Sequence, residues 1–558
     1  MTALGYVTLT IFLAAMILTL LRKINLPVQT VLVLVALVCL ALGAVVKGAL
    51  VGWAAVLAMP GEMMGGIILH PITALLAGLF LAGALQATGG FEAFKAIIGR
   101  LQKTPLGLAG TVVILINLPM LASLPCGRIL AAALLPLLFA FGSEGGMNLL
   151  TKSQLVVLIG AFARNAFGSC GPSPIGGVGQ IGEGFLGSFF PTAADGILRA
   201  PQAFALMLGT ALTALFLKLV SQKLYPNDSS LREKAEGEAE QAVAVKAPWT
   251  GYVSLVIFVV ALFVSIFQPF GKIPVQTVLV FASILIIIIG RAGLEDLMAG
   301  IILLPVTAMI SGFMAAGALA ATGGFDALGQ VLSLFSKIPL LGVAGMLAIF
   351  VQIQTMIPLS CSRILTAALV PVLFLFGPAG YGFLNWEQLA IVMAAYMINA
   401  TTSCGPSPLG GGGMMGEGQM RAESGYIKGA YTFTAMAVMA PLAAVYMKFM
   451  NLAQFPTDEL KVSTNVAALA GYVALIVVAN VVAIKLMSTV ATPEDGSYHR
   501  QVIGFLATGV LAGVVLALSV FGFQPLAALQ GGIGGAVAAA WIAYMVPRRL
   551  LPEPAPFY

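Results

Sequence analysis

The string NAFGSCGPSPIGGVGQIGEG, residues 165–184, recurs as NATTSCGPSPLGGGGMMGEG at residues 399–418, with identity at 14 of the 20 positions. Each copy holds two prolines and seven glycines and lies within a long apolar region. A helix cannot pass through Gly-Pro-Ser-Pro, because proline lacks an amide hydrogen and its ring clashes with the preceding turn. The chain is therefore predicted to contain one unit twice, with a helix that breaks at this string in each copy.

Shorter matches extend the duplication over most of the chain. They are GYV at 5–7 and 251–253, LPVQTV at 26–31 with IPVQTV at 273–278, ATGGF at 87–91 and 321–325, and CGRIL at 126–130 with CSRIL at 361–365. These matches predict a first membrane repeat at 1–224 and a second at 247–452. A polar cytoplasmic linker, 225–246, joins them, and 453–558 forms a C-terminal transmembrane extension.

The composition indicates a membrane protein. Of 558 residues, 60% are hydrophobic and 9% are charged, and the mean hydropathy is +1.03. Apolar runs of the roughly 20 residues needed to cross a bilayer recur along the chain. The net charge of +6 is dispersed over loops, so nucleic acid is not an expected partner. We find no nucleophile–base set, metal-ligand spacing or nucleotide loop, and predict neither an enzyme nor a bound cofactor or metal.

The predicted fold is all-α and polytopic, with one order of elements in both repeats: three spans, a re-entrant helical hairpin, a broken helix and a closing span. In the first repeat the spans fall at about 5–22, 27–47, 64–87 and 203–220, with an amphipathic stretch at 91–103, the hairpin at 106–141 and the break at 169–184. Three further spans are predicted near 467–487, 502–520 and 525–546.

A re-entrant hairpin does not cross the membrane, so each repeat would cross five times and the second repeat would be inverted. With the N-terminus outside, Lys23, Arg100 and Arg291 fall in the cytoplasm, as the positive-inside rule requires. The C-terminus, after Arg548, would also be cytoplasmic. A hairpin that crosses would instead give parallel repeats and lose part of this charge bias. The predicted location is the inner (plasma) membrane.

Broken helices indicate a binding site, because backbone groups freed inside a membrane must face protein, water or a ligand. Half-helix N-termini attract anions, and freed carbonyl groups attract cations such as sodium. The alternative is that the breaks are packing kinks without a ligand. The candidate substrate-binding residues lie at the hairpin tips and at the breaks: Ser123, Cys126, Arg128, Asn165, Ser169, Cys170, Gly171, Ser173, Ser360, Cys361, Arg363, Asn399, Thr402, Ser403, Cys404, Gly405 and Ser407.

Charged residues beside these segments complete the candidate site. An arginine deep in a membrane is costly and offers a planar fork that suits a carboxylate, so Arg128 and Arg363 are predicted to contact substrate. The alternative is that they snorkel or pair with Glu183 and Glu417. These two carboxylates are the ion-coupling candidates, and a structural place at the membrane surface is the alternative for them.

Two residues have no symmetric counterpart. Arg164 aligns with Ile398 and is an unduplicated candidate for binding charge. His70 aligns with Leu304 and is interpreted as a packing residue.

In its order of elements the chain resembles the ion transporter superfamily, which includes divalent anion/sodium symporters, citrate and gluconate permeases, and some sodium/proton antiporters. The resemblance covers about Gly5–Leu452 and is one of architecture. Where carboxylate symporters of that family carry Ser-Asn-Thr signatures, this chain has Ser123, Ser360, Asn165 with Ser169, and Asn399 with Ser403. The resemblance implies a homodimer that works by an elevator motion.

These observations together predict a secondary transporter that takes up a small organic anion, a carboxylate, with a proton or sodium as the coupling ion. The alternative is a cation/proton antiporter of the same architecture. In that case Glu183, Glu417 and the pair Asn165 and Asn399 would carry the ion.

Overall fold

A computed structural model describes residues 2–20, 23–24, 26, 28–65, 69–101, 104–105, 107–122, 138–139, 141–142, 150–168, 177–189, 197–224, 247–267, 273, 275–293, 295, 303–356, 362–402, 438–450, 474 and 497–548. In these stretches the chain is almost entirely α-helical and contains no β-strand. The all-α class predicted from the sequence is therefore confirmed for the part that the structure describes.

The described helices of the first repeat are α1 (Thr2–Leu20), α2 (Val28–Leu50), α3 (Trp53–Gly65), α4 (Leu69–Ala87), α5 (Gly90–Leu101), α6 (Gly107–Ala122), α7 (Lys152–Gly168), α8 (Gly177–Phe189) and α9 (Arg199–Leu224). Those of the second repeat are α10 (Trp249–Phe267), α11 (Val275–Gly290), α12 (Leu303–Ala321), α13 (Gly324–Ser336), α14 (Gly342–Met356), α15 (Ser362–Phe376), α16 (Trp386–Thr402) and α17 (Ala440–Met450). The C-terminal extension contributes α18 (Ser497–Phe521) and α19 (Pro525–Arg548).

The span predicted at 64–87 corresponds to α4, and a further helix that the sequence does not predict, α3, precedes it. α3 runs back along α2, where a methyl group at Gly48 would lie 3.2 Å from Val56. Lys47 Nζ also donates a hydrogen bond of 3.3 Å to Glu62 Oε2. The sequence does not predict α3 because Pro60, Gly61 and Glu62 interrupt its apolar run. The ion pair with Lys47 and the packing on α2 offset the cost of holding these three residues in a helix.

The second half of the predicted first break is helical, and residues 169–176, its first half, lie outside the described part. The predicted break runs from Ser169 to Gly184, but α8 begins at Gly177 and is helical through Gly184. Proline forbids a helix, whereas glycine only weakens one by about 1 kcal/mol per residue. Close packing compensates for the low helix propensity of these glycines, since a methyl group at Gly182 would lie only 2.6 Å from Leu198.

Several predictions fall on residues outside the described part. They are the linker at 225–246, the first tip at 123–130, residues 357–361 of the second tip, residues 169–176 of the first break, the second break at 403–418 and, apart from Ala474, the span at 467–487. The repeat boundaries stay predictions.

Candidate membrane spans are present among the described helices. Gln29–Leu50 and Pro201–Leu219 are long and apolar enough to cross a membrane. A third candidate is the pair Ile310–Ala321 and Gly324–Phe335, which is bent by 81° at the break between its helices. Shorter apolar helices include Ala3–Leu18 and Leu506–Phe521. The described helices are thus compatible with a membrane protein by length and composition.

The two repeats exchange reciprocal contacts. Thr88 Oγ1 and Ser254 Oγ are 2.7 Å apart, and Thr322 Oγ1 donates to Thr8 Oγ1 at 3.0 Å. Thr88 is equivalent to Thr322 in the duplicated sequence, and Thr8 is equivalent to Ser254. Each half therefore gives to the other the contact that it receives, which is the pattern produced by a two-fold relation.

Glycine permits the close approach at the same two places. Gly89 and Gly323 have φ angles of 77° and 76°, a conformation that favours glycine. A methyl group at Gly251 would lie 2.6 Å from the carbonyl carbon of Gly89, and one at Gly5 would lie 2.8 Å from that of Gly323. The repeated Gly-Tyr-Val and Thr-Gly-Gly strings of the sequence therefore meet each other across the halves.

α9 runs antiparallel to α17. Phe204, near the start of α9, packs with its ring centroid 5.1 Å from that of Tyr446, near the end of α17. Gly209, further along α9, lies against Met439, just before α17 begins.

α9 also runs antiparallel to α7. Leu217, in the last third of α9, packs on Gly160 near the middle of α7. Arg164, one turn further along α7, contacts the Sδ atom of Met439, the residue that also lies against Gly209.

The starts of α7 and α16 therefore lie beside opposite ends of α9. Lys448, at the end of α17 that packs beside the start of α9, pairs with Glu387 in the first turn of α16 at 2.7 Å. The start of α7 lies instead toward the end of α9. α7 and α16 are equivalent, because they carry Asn165 and Asn399. The two copies of this helix therefore start beside opposite ends of α9.

The segment formed by α14 and α15 returns to the helix from which it starts. α14 follows directly after α13, and the turn after α15 comes back to α13, where Tyr381 donates a hydrogen bond of 2.8 Å to the carbonyl of Asp326. Phe350 of α14 and Phe376 of α15 lie with ring centroids 5.9 Å apart. Both ends of the segment therefore lie beside α13.

The C-terminal helices α18 and α19 pack on α14 of the second repeat. The two helices approach closely, since a methyl group at Gly513 would lie 2.7 Å from the carbonyl carbon of Gly531. Gln530 of α19 donates a hydrogen bond of 2.9 Å to the carbonyl of Pro339, next to α14. α14 of the second repeat therefore packs on two helices that lie outside the duplicated sequence.

Candidate functional site

The structure describes the side chains of three predicted site residues, Asn165, Asn399 and Glu183. Two more are placed by their backbone: Arg363 is the second residue of α15, and Thr402 is the last residue of α16. The remaining candidates lie outside the described residues: Ser123, Cys126, Arg128, Ser169, Cys170, Gly171, Ser173, Ser360, Cys361, Ser403, Cys404, Gly405, Ser407 and Glu417.

Asn399 joins α16 to α14 just before the second break. Its side chain is fully buried, and its Nδ2 donates hydrogen bonds of 2.8 Å to the carbonyl of Val351 and to Oε1 of Gln352. The helix that leads into the predicted second break is therefore fixed to the helix that leads into the predicted second tip.

Asn165 makes the equivalent but looser contact in the first repeat. It is fully buried on α7, and its Nδ2 donates to Asn117 Oδ1 of α6 at 3.4 Å. Asn117 in turn donates to the carbonyl of Val113 at 2.9 Å. Within the described part of the chain, Asn165 Oδ1 has no hydrogen-bond partner.

Asn117 and Gln352 were missed by the sequence reasoning. They are equivalent, because the offset of 235 that aligns Cys126 with Cys361 also aligns them. The usable signal was an amide at the same position in two mainly apolar helices. We call the pairs Asn117–Asn165 and Gln352–Asn399 the amide tethers.

Arg164 is the largest fully buried side chain of the described part. Its guanidinium group contacts Met439, in the segment leading into α17, and Met439 also lies against Gly209 of α9. Met439 thus stands between α7 and α9. At the equivalent place in the second repeat, Ile398 is buried and apolar. A buried cation therefore distinguishes the first half from the second.

Glu183 is buried and bonded to the start of α9. Its Oε1 accepts hydrogen bonds from the backbone amides of Leu198 at 3.0 Å and Arg199 at 3.1 Å, and its Oε2 pairs with Arg199 Nε at 2.8 Å. A carboxylate at this place satisfies free amides of the helix and the positive end of its dipole. Glu183 therefore stabilises the packing of α8 against α9. Its partners Leu198 and Arg199 could not be found from the sequence, because 15 and 16 residues separate them from it.

α9 adds two polar residues that the sequence reasoning did not select. Gln202 is fully buried, and within the described residues neither Nε2 nor Oε1 of its amide has a hydrogen-bond partner. Thr210, further along the same helix, is also buried with an unbonded Oγ1 there. Buried polar groups normally have partners, so each such group calls for an explanation.

The described residues of α7, α9 and α16 offer amides, a hydroxyl and a guanidinium group among apolar side chains. In the described ranges no three His, Cys, Asp or Glu side chains come together as a metal site. The arrangement suits binding through hydrogen bonds and charge. No protein-family model matches the chain, and no curated protein matches it.

Proposed function

We propose that this protein is a secondary transporter of the ion transporter superfamily type, with two inverted repeats in the membrane. It takes up a small carboxylate together with a proton or sodium, through an elevator-type alternation of a central site between the two sides. The proposed location is the inner membrane, and the proposed assembly is a homodimer.

The observation that carries the proposal is the placement of the amide tethers. Each tether fixes a helix that leads into a break to a helix that leads into a tip, and the two tethered helices, α7 and α16, start at opposite ends of α9. A site formed by both breaks would then be approached from opposite sides, which is the geometry of alternating access in inverted-repeat transporters. The return of α15 to α13 supports the re-entrant interpretation of the hairpin.

The buried cation favours an anion as the substrate. Arg164 is fully buried on α7, next to Asn165, whose Oδ1 has no hydrogen-bond partner in the described part. A charged residue inside a membrane segment is expected to serve a functional or paired role because its burial is costly. The half-helix α8, which starts at Gly177, adds the positive end of its dipole.

The antiporter alternative requires Glu183 to exchange protons. In the structure Glu183 accepts two backbone hydrogen bonds and pairs with Arg199, so the whole carboxylate is engaged in the packing of α8 against α9. For this reason the symporter is the function that we propose. A flattened pH dependence of uptake in Glu183→Gln, with normal folding, would favour the alternative.

The test is a thermal-shift screen of the purified protein against small organic acids, with and without sodium, followed by uptake in proteoliposomes. A ligand at 100 times its Kd stabilises the folded state by about 2.7 kcal/mol, which raises the melting temperature measurably. We expect at least one carboxylate to stabilise the protein and to accumulate in vesicles only with an imposed ion gradient. Accumulation of no carboxylate, together with sodium- or lithium-driven proton movement, would contradict the proposal and favour the antiporter.

A further inference from the structure

The C-terminal helices α18 and α19 close a ring with α14 and α16 of the second repeat. α19 lies against α14, where a methyl group at Gly534 would be 2.8 Å from the carbonyl carbon of Gly345. α19 also packs on α18. α18 is bonded to α16, because the side-chain amide of Gln388 donates a hydrogen bond of 3.1 Å to the carbonyl of Val520. The tether from Asn399 on α16 to α14 completes the ring.

We call α18 and α19 the strap. In a closed ring, two helices cannot separate unless a second contact of the ring breaks as well. The contact between α14 and α19 is close, because glycine lets helix backbones approach each other inside a membrane. It is reinforced by Gln530 of α19, which donates a hydrogen bond of 2.9 Å to the carbonyl of Pro339. α14 can therefore leave α16 only if the Asn399 tether and a contact of the strap are lost together.

The equivalent helices of the first repeat, α6 and α7, are held less firmly. Val113 of α6 is 57% exposed, whereas its equivalent on α14, Ala348, is 2% exposed. Ala348 lines a small cavity together with Ala512 of α18 and Gly535 of α19, so it faces the strap. The tether between α6 and α7 is 3.4 Å long, against 2.8 Å between α14 and α16. The face that the strap covers on α14 is thus open on α6 at Val113.

The strap lies outside the duplicated sequence. α6 forms without such a cover at Val113, so the repeated unit does not require one. The place of the strap beside α14 therefore gives the two halves different freedom to move.

We propose that the strap is a conformational device that holds α14 and α16 as one rigid body throughout the transport cycle, so that the movement that opens the site takes place between α6 and α7. The inference rests on the proposed function and deepens it, because it assigns the movement to one half. Helices shift past their neighbours by about 1–2 Å, or by one turn of about 5.4 Å, in known conformational transitions. For α6 and α7 such a shift costs a long tether, whereas α14 and α16 would lose short hydrogen bonds and a contact of the strap.

The test measures distances between two spin labels by pulsed electron paramagnetic resonance, with the whole chain in vesicles. The labels are attached to cysteines at equivalent positions, in a variant that lacks the native cysteines. Thr104→Cys with Thr151→Cys reports on the starts of α6 and α7, and Ile338→Cys with Asn385→Cys reports on those of α14 and α16. Without any added acid, we expect the distribution of the first distance to be wider than that of the second by about 2–5 Å. Equal widths, or a wider second distribution, would overturn the proposal.

A substitution in the strap checks that the strap is the cause. Gly534→Ala places a methyl group too close to the backbone of α14, and it should widen the distribution between α14 and α16 to that between α6 and α7. The matched control is Gly532→Ala on the same helix, where the nearest atom to a methyl group is in the side chain of Val514 at 3.2 Å. The control should keep the distribution narrow. No widening in Gly534→Ala, or equal widening in the control, would overturn the proposal.

A second variant serves if Gly534→Ala does not fold. Gln530→Leu removes the hydrogen bond to Pro339, and an unchanged distribution between α14 and α16 in this variant would overturn the proposal. No acid is added in these measurements, so their outcome is separate from that of the uptake assay. Failure of uptake for every carboxylate would refute the proposed function, whereas equal distance distributions in the two halves would refute the strap.

Discussion

Both repeats contain an amide tether, but its hydrogen bonding differs between them. In the second repeat Asn399 donates two hydrogen bonds of 2.8 Å, and α18 and α19 pack on the tethered helix α14. In the first repeat the tether is 3.4 Å long, Asn165 Oδ1 has no partner in the described part, and the buried Arg164 lies next to it in the chain. A duplicated fold can therefore keep the tether fully bonded in one copy and leave it partly unbonded in the other.

The largest expected effect concerns the ion pairs of the two halves. Glu183→Gln removes the charge opposite Arg199 in the first half, where the two side chains are 6% and 13% exposed. Removing one partner of a buried pair costs about 3–5 kcal/mol. In the second half, Glu387→Gln weakens the more exposed pair with Lys448 and should cost about 1 kcal/mol or less. Urea unfolding in detergent gives both values, and equal losses would contradict the burial difference.

A second prediction sharpens the contrast between the tethers. Asn399→Ala loses two short hydrogen bonds and leaves Gln352 Oε1 without this donor, so we expect a loss of about 2–3 kcal/mol in unfolding free energy. Asn165→Ala loses only a long bond and should cost about 1 kcal/mol or less. Substrate affinity should respond in the opposite order, falling more in Asn165→Ala. Isothermal titration with the acid found in the screen measures it, and an equal fall in both variants would refute the division of roles.

How much of this comparison was predictable depends on the kind of contact. The duplication, the helix at Val28–Leu50 and the amphipathic α5 follow from apolar runs and periodicity, so the sequence predicts them well. The pairs Asn117–Asn165 and Glu183–Arg199 do not follow, because helix periodicity does not specify which helices become neighbours. α3 was not predicted because the partner of its polar residue Glu62 is Lys47 of α2, and the sequence does not show that these two helices pack together.

The smallest effect concerns the turn that closes the segment of α14 and α15. Burial, followed by the charge of Asp326 and by Tyr6, raises the pKa of Tyr381 above its usual value of 10.0. A raised pKa in the folded state means that stability is present below about pH 10 and falls as the pH rises through the folded value. Tyr381→Phe should lower the melting temperature slightly at pH 8 and remove that alkaline loss. A melting curve between pH 8 and pH 11 measures both, and an unchanged alkaline loss would point to another group.

Inversion of the repeats is the central claim, and cysteine accessibility tests it most directly. Thr104, before α6, and Ile338, before α14, occupy equivalent and exposed positions in the two halves. Each is replaced by cysteine in a variant that lacks the native cysteines, and an impermeant thiol reagent is added to vesicles of known orientation. We predict that Thr104→Cys reacts only from the cytoplasmic side and Ile338→Cys only from the outside. Reaction of both from the same side would show that the repeats are parallel and would contradict the account.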